Sequence, residues 1–128
     1  ERFTPEFTCP QENDKFTVSI SSGGNAALTY PVGLITADEV LAAGCGVLDT
    51  TNESYYLLKT KWNWTFSPAY MNNSLNGRIF RIGSFGFMNV WGVHYKGAVA
   101  PVINIKVEFL NQFKGTGTIN NPYRIFNT

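Results

Sequence analysis

Apolar and polar positions fall into short period-two runs separated by turn residues, with one segment of helical character. Phe16–Ile20 (FTVSI) alternates apolar and polar side chains, uses β-branched residues, and predicts a strand. Ser21–Asn25 (SSGGN) predicts the turn that follows. Tyr30–Ile35 (YPVGLI) is a short apolar run whose Pro31 confines it to a sheet edge or a strand start. Thr36, with Glu39 three residues on, forms a capping-box pattern ahead of good helix formers, so a helix is predicted over Ala37–Ala43. Gly44 is placed to end it. At about two turns such a helix is not stable alone, and Val40 and Leu41 are its candidate packing contacts.

Strands and turns fill the rest. Tyr55–Leu58, Trp62–Phe66, Arg78–Ile82 and Phe85–Trp91 are predicted strands, the third with imperfect alternation. Val102–Phe109 (VINIKVEF) alternates cleanly, with Ile103, Ile105, Val107 and Phe109 on one face. Lys114–Thr118 (KGTGT) predicts a tight turn and Tyr123–Phe126 a last short strand. Many short strands and one small helix make the expected class α+β, or all-β with a helical insert.

The 128 residues suit one domain, 1–128, with a single core. A net charge of +1 removes the strong basic field that non-specific nucleic-acid binding needs. No apolar run approaches a membrane span, so direct membrane insertion is not expected. The chain starts at Glu1, and it is expected to be a processed product or part of a longer surface protein. The two cysteines, Cys9 and Cys45, match no zinc spacing. They are a candidate disulfide between the N-terminal arm and the end of the helix, which would imply an oxidising compartment; two separate thiols are the alternative.

Tyr55–Val102 has a different character. It holds all three Trp residues, five Asn, and Lys59, Lys61, Arg78, Arg81 and Lys96, without one acidic residue. Large aromatics beside Asn and Lys supply rigid area and adaptable hydrogen bonds, the composition of a contact surface.

Six ordered blocks carry a resemblance: LTYPVGLITADEV (Leu28–Val40), YYLL (Tyr55–Leu58), WTFSP (Trp64–Pro68), FRIGSFG (Phe80–Gly86), VAPVINIK (Val99–Lys106) and GTGTINNPYRI (Gly115–Ile125). Together they resemble a family of bacterial secreted domains of unassigned function, some joined to prepilin-like N-termini. That family is similar in turn to the C-type-lectin-like fold of formylglycine-generating-type domains and of the variable proteins of diversity-generating retroelements. The resemblance implies an α+β, C-type-lectin-like fold of mostly short antiparallel strands and loops with one or two short helices. Trp64, Ser67, Pro68, Gly86, Val99 and Pro101 match the family frame. Ala98-Val99-Ala100-Pro101 stands where the family carries Gly-Val-Arg-Pro, so a buried ion pair of the family is expected to be missing.

The positions between the frame residues are the expected ligand-binding set: Lys61, Trp62, Asn63, Tyr70, Asn72, Phe85, Phe87, Asn89, Trp91, His94 and Tyr95. Retroelement-driven variability there is what the resemblance implies. Ordinary surface drift, or core roles for Trp62, Trp64 and Phe80, is the competing explanation.

Catalytic chemistry is thin. His94 has no nucleophile or carboxylate at a recognisable spacing. Asp38 and Glu39 are accounted for by helix capping. Asp49 and Glu53 lie in no dense oxygen-ligand loop. The tripeptides of calcium-dependent sugar-binding lectins are absent, and the cysteines bracket the arm and helix rather than the contact segment. No metal, cofactor or catalytic residue is expected. The function expected is an extracellular or cell-surface, adhesin-like module binding a host or neighbouring-cell protein or glycan. A self-assembling pilin-like or surface-array subunit is the alternative, and a formylglycine-generating-type enzyme the remote one.

Overall fold

A computed structural model describes residues 4–47, 50–55, 57, 61–118 and 120–125. It is a small mixed α/β protein, mostly short strands with one short helix. The helix, α1, spans Ala37–Ala42. The strands are β1 (Val32–Leu34), β2 (Gly46–Val47), β3 (Asn63–Met71), β4 (Gly77–Ile82), β5 (Phe87–Gly92), β6 (Pro101–Ile103), β7 (Phe113–Lys114) and β8 (Arg124–Ile125).

The principal sheet has the order β2-β5-β4-β3. β3, β4 and β5 form an antiparallel meander, and β2 adds to β5 in parallel. β1 pairs with β6, and β7 with β8, as separate two-stranded ribbons. β3 lies at the end of the sheet order, where Pro68 and the register shifts on either side of it are tolerated. Its outer edge is not left bare. Trp64 N–H donates to Ala98 O at 3.1 Å and Phe66 N–H to Ile35 O at 3.0 Å. The Ala98 segment therefore pins the start of β3.

α1 forms as its capping pattern dictates. Thr36 Oγ1 accepts from Glu39 N–H at 3.2 Å, and Glu39 Oε2 accepts from Thr36 N–H at 2.8 Å. Ala37 N–H, another donor the helix leaves open, is taken by Ser67 Oγ on β3 at 2.9 Å, which ties the helix to the sheet. Val40 and Ala37 then bury against Ile82, Met88, Tyr55 and Cys45, with Leu41 and Phe80 packed around them. Val40 and Ile82 are fully buried, each contributing roughly 1.5–3 kcal/mol by removal from water. Phe80 is thus a core contact, one of the roles left open for it.

Behind this core sits Gly86, at φ +65° in the β4–β5 turn. Its carbonyl accepts from both Gly46 N–H (2.9 Å) and Asn52 N–H (3.2 Å). A Cβ there would lie 2.1 Å from Asn52 O, so the turn requires glycine on two counts.

Several expected elements differ. Phe16–Ile20 is not a strand: Thr17 is spent closing a loop, its O accepting from Leu28 N–H and its Oγ1 from Ala26 N–H, and Ile20–Ser22 is a 3-10 turn. The run predicted over Val102–Phe109 keeps strand geometry only to Ile103, because its partner β1 is three residues long; Val107–Gln112 turns into 3-10 helix. Tyr55 is buried in irregular backbone rather than a strand; Tyr56 and Leu58 of that prediction lie outside the described residues, as do Asp49, Lys59 and Phe126. The Cys9–Cys45 disulfide is absent. Cys45 is buried among Val40, Ile82 and Met88, while Cys9 is exposed on the arm and donates its thiol to Gln11 O at 3.0 Å. Burial pushes the Cys45 thiol up to about 11.

Candidate functional site

The pleat of the central strands sorts their side chains. Ile82, Phe80 and Met88 face α1. Ile79 and Arg81 on β4 face the other way, and the register sets Arg81 beside Asn89 on β5 and Trp64 on β3, and Ile79 beside Trp91. Phe87, Asn89 and Trp91, two residues apart along β5, share that face.

Arg81 organises it. Its guanidinium carbon is 3.6 Å from the centroid of the Trp62 ring and 4.1 Å from that of Trp91, so the cation is held between two indoles. Its Nε–H donates to Asn89 Oδ1 at 3.0 Å, which fixes the plane of the group. Trp62 meets Phe87 edge-on at 5.4 Å, and Trp91 meets Tyr95 at 5.2 Å. His94 extends the row, 4.2 Å from Tyr95. Glycines make room for the rings. A Cβ on Gly83 would lie 2.7 Å from the Trp62 indole, and one on Gly92 2.7 Å from His94 Cε1.

Arg81 is only 9% exposed. Burial lowers its pKa from the ordinary arginine value, as expected for a cation removed from water. Among the described residues no carboxylate pairs with it; the ion pair found there, Lys106–Glu108, is on the surface elsewhere. The indole faces and Asn89 are what the protein sets against the desolvation of this charge.

Beside this row lies an apolar cleft of about 380 Å³, lined by Phe16, Leu34, Trp64, Thr65, Phe66, Ile79 and Val93. Phe16 stacks on Phe66 at 4.9 Å, so the N-terminal loop forms one wall. Trp64 and Ile79 share the Arg81 face, which makes the cleft continuous with the aromatic row.

Of the residues singled out in the sequence, Trp62, Phe87, Asn89, Trp91, His94 and Tyr95 are brought together. Lys61, next to Trp62, is exposed, and Phe85 is an exposed ring in the β4–β5 turn. Three others belong elsewhere. Asn63 is buried, pairs with Ile82 on the α1 face, and donates Nδ2 to Lys61 O at 2.7 Å, a structural role. Asn72 shapes the β3–β4 turn: its Oδ1 accepts from Ser74 N–H and Asn76 N–H. Tyr70 is exposed beside Arg78, on the face opposite Arg81. In the sequence the residue at the centre, Arg81, is only one of several cations. Its isolated apolar–basic pattern (RIFRI) becomes informative only with the register that sets it between two Trp-bearing strands.

Among the described residues no group of three or more His, Cys, Asp or Glu is placed to hold a metal ion, and no helix is long and apolar enough to cross a membrane. No protein-family model, curated protein or solved structure matches the chain.

Proposed function

We propose that this chain is an extracellular, adhesin-like binding module of C-type-lectin-like type, whose contact surface is the aromatic face around Arg81. The observation that supports this reading is the convergence of Trp62, just before β3, with Phe87, Asn89 and Trp91 of β5 and His94 and Tyr95 of the loop after it, onto one face of the sheet, away from the core. A row of rings with exposed edges, flanked by Lys61 and Lys96, has the make-up of an interaction hot spot. The partner is a cell-surface protein or glycan. Substitution at His94, Tyr95 and Phe85, all exposed, leaves the core untouched, which is what a retroelement-diversified surface requires.

A screen of the tetramerised, labelled domain against glycan and cell-surface protein arrays tests the reading. Capture by a defined partner, lost in His94→Ala/Tyr95→Ala and retained in Tyr70→Ala, is expected. Capture that survives the double variant would move the site away from this face. Trp91 is not the anchor to remove first, because it also covers Arg81.

A second reading, a self-assembling surface subunit, has its own support. The β1–β6 ribbon pairs Val32 with Ile103, both exposed, and Ile105, Val107 and Phe109 continue the exposed apolar run. Concentration-dependent assembly in sedimentation, with no partner captured, would favour it.

A further inference from the structure

We infer that Arg81 is the anchor for a ligand carboxylate, and that the ligand class taken by this face is an acidic saccharide. The inference deepens the contact-surface reading and rests on it.

The protein satisfies the Arg81 guanidinium only in part. Its two faces are covered by Trp62 and Trp91, and its Nε–H is used by Asn89. No described protein group accepts from either terminal nitrogen, and neither is sealed from solvent. The side chain is therefore more than nine-tenths buried while the donor edge of its fork stays open. A cation buried to this degree is normally paired with a carboxylate or hydrogen-bonded throughout. The stretch from Tyr55 to Val102 supplies no carboxylate at all.

With both faces blocked, an acceptor reaches Arg81 only in the plane of the guanidinium. That approach suits a planar carboxylate, whose two oxygens match the fork. Lys61 and Lys96, both exposed near the row, add attraction for an anion. The adjoining Trp91–Tyr95–His94 rings favour a sugar over an extended acidic peptide. A pyranose presents an apolar C–H face that packs flat on a ring, and its hydroxyls suit the side chains of Asn89, Lys61 and Lys96 beside the row. The carboxylate would fix the orientation and the rings would supply contact area.

The test is a titration of the purified chain with sodium glucuronate, read by tryptophan fluorescence and by the NMR shift of the Arg81 Nε–H. Glucose, sodium acetate and a triglutamate peptide, at matched ionic strength, are the comparisons. Saturable binding of glucuronate, weakened about tenfold or more in Arg81→Lys and lost in Arg81→Met, is expected, since lysine keeps the charge but not the fork. Asn89→Ala, which frees the guanidinium plane, is expected to weaken binding without abolishing it. Melting curves of each variant show that it is folded; should Arg81→Met not fold, Arg81→Lys and Asn89→Ala carry the test. Triglutamate binding more tightly than glucuronate would overturn the saccharide assignment, and acetate binding as tightly would do the same. Glucose binding as well as glucuronate, unchanged by the Arg81 variants, would overturn the carboxylate anchor and leave the aromatic contact surface standing. No saturable response to glucuronate at any concentration would overturn the inference alone, because the array screen with His94→Ala/Tyr95→Ala judges the contact surface separately.

Discussion

Replacing Arg81 by methionine should barely change stability, whereas replacing it by alanine should cost several kcal/mol. The gains from the native side chain can be counted. Two cation–π contacts, at 3.6 and 4.1 Å, contribute about 0.5–2 kcal/mol each. The bond from Nε–H to Asn89 Oδ1 at 3.0 Å adds roughly 1.5–3 kcal/mol as a hydrogen bond to a charged group. Against these stands the desolvation of a cation 9% exposed and lacking a described counter-charge, which costs several kcal/mol. The terms nearly cancel. Methionine removes both columns and keeps a flexible, polarizable chain between the indoles, where sulfur–ring contacts return about 0.3–1.5 kcal/mol. The expected net change is within about 1 kcal/mol. Alanine forfeits the packing as well and leaves a gap between two rings, at a cost of about 2–4 kcal/mol. For a chain of 128 residues, with roughly 3–5 °C of melting temperature per kcal/mol, Arg81→Met should melt within about 5 °C of the parent and Arg81→Ala about 6–20 °C lower. Calorimetry or circular dichroism at neutral pH measures both. If methionine proved as damaging as alanine, the charge would be a structural requirement, and the argument that it is held open for a ligand would fail.

Other perturbations test the frame around the site. Thr36→Ala removes the side-chain half of the capping box and should lower stability by about 1 kcal/mol, visible as a fall of roughly 3–5 °C in the melt. Gly86→Ala places a Cβ 2.1 Å from Asn52 O at a φ of +65° and should cost roughly 3–5 kcal/mol or prevent folding, as urea titration would show. In the native protein an alkylating reagent should modify Cys9 readily and Cys45 only after denaturation, which peptide mass spectrometry reads directly. The Cys45 thiol has its folded-state pKa raised from 9.0 to about 11. Its contribution to stability is therefore complete below pH 9 and is lost as the pH rises towards 11. Across that window the parent should lose more stability than Cys45→Ala; equal losses would show that the thiol is not buried.

What the sequence disclosed follows from how local each feature is. The capping box of Thr36 and Glu39 is a contact between near neighbours, and it formed as its residues dictate. β4 and β5 were legible because their alternating residues lie in a hairpin whose partner is a few residues away. Val102–Phe109 alternates more cleanly than β4, yet most of it is not strand, since a strand exists only where another backbone accepts its hydrogen bonds. β2, two residues in parallel with β5, had no pattern to betray it. The residues proposed for the contact face were legible as a composition, Trp with Asn and Lys, but not as a place. Asn63 and Asn72 share that composition and serve the fold instead, one buried opposite Ile82 and the other holding a turn. Arg81 gained its meaning only from the cross-strand register, which no window of the sequence contains.

The most direct measurement is the solution NMR spectrum of the Arg81 side chain in the free protein. A guanidinium held between Trp62 and Trp91 should show Hδ and Hε signals shifted well upfield of those of Arg78 and Arg124 by the two ring currents, and the shift should shrink in Trp91→Ala. Arg81 signals at ordinary arginine positions, indifferent to the loss of Trp91, would mean that the stack does not exist in solution and that the contact face has no centre.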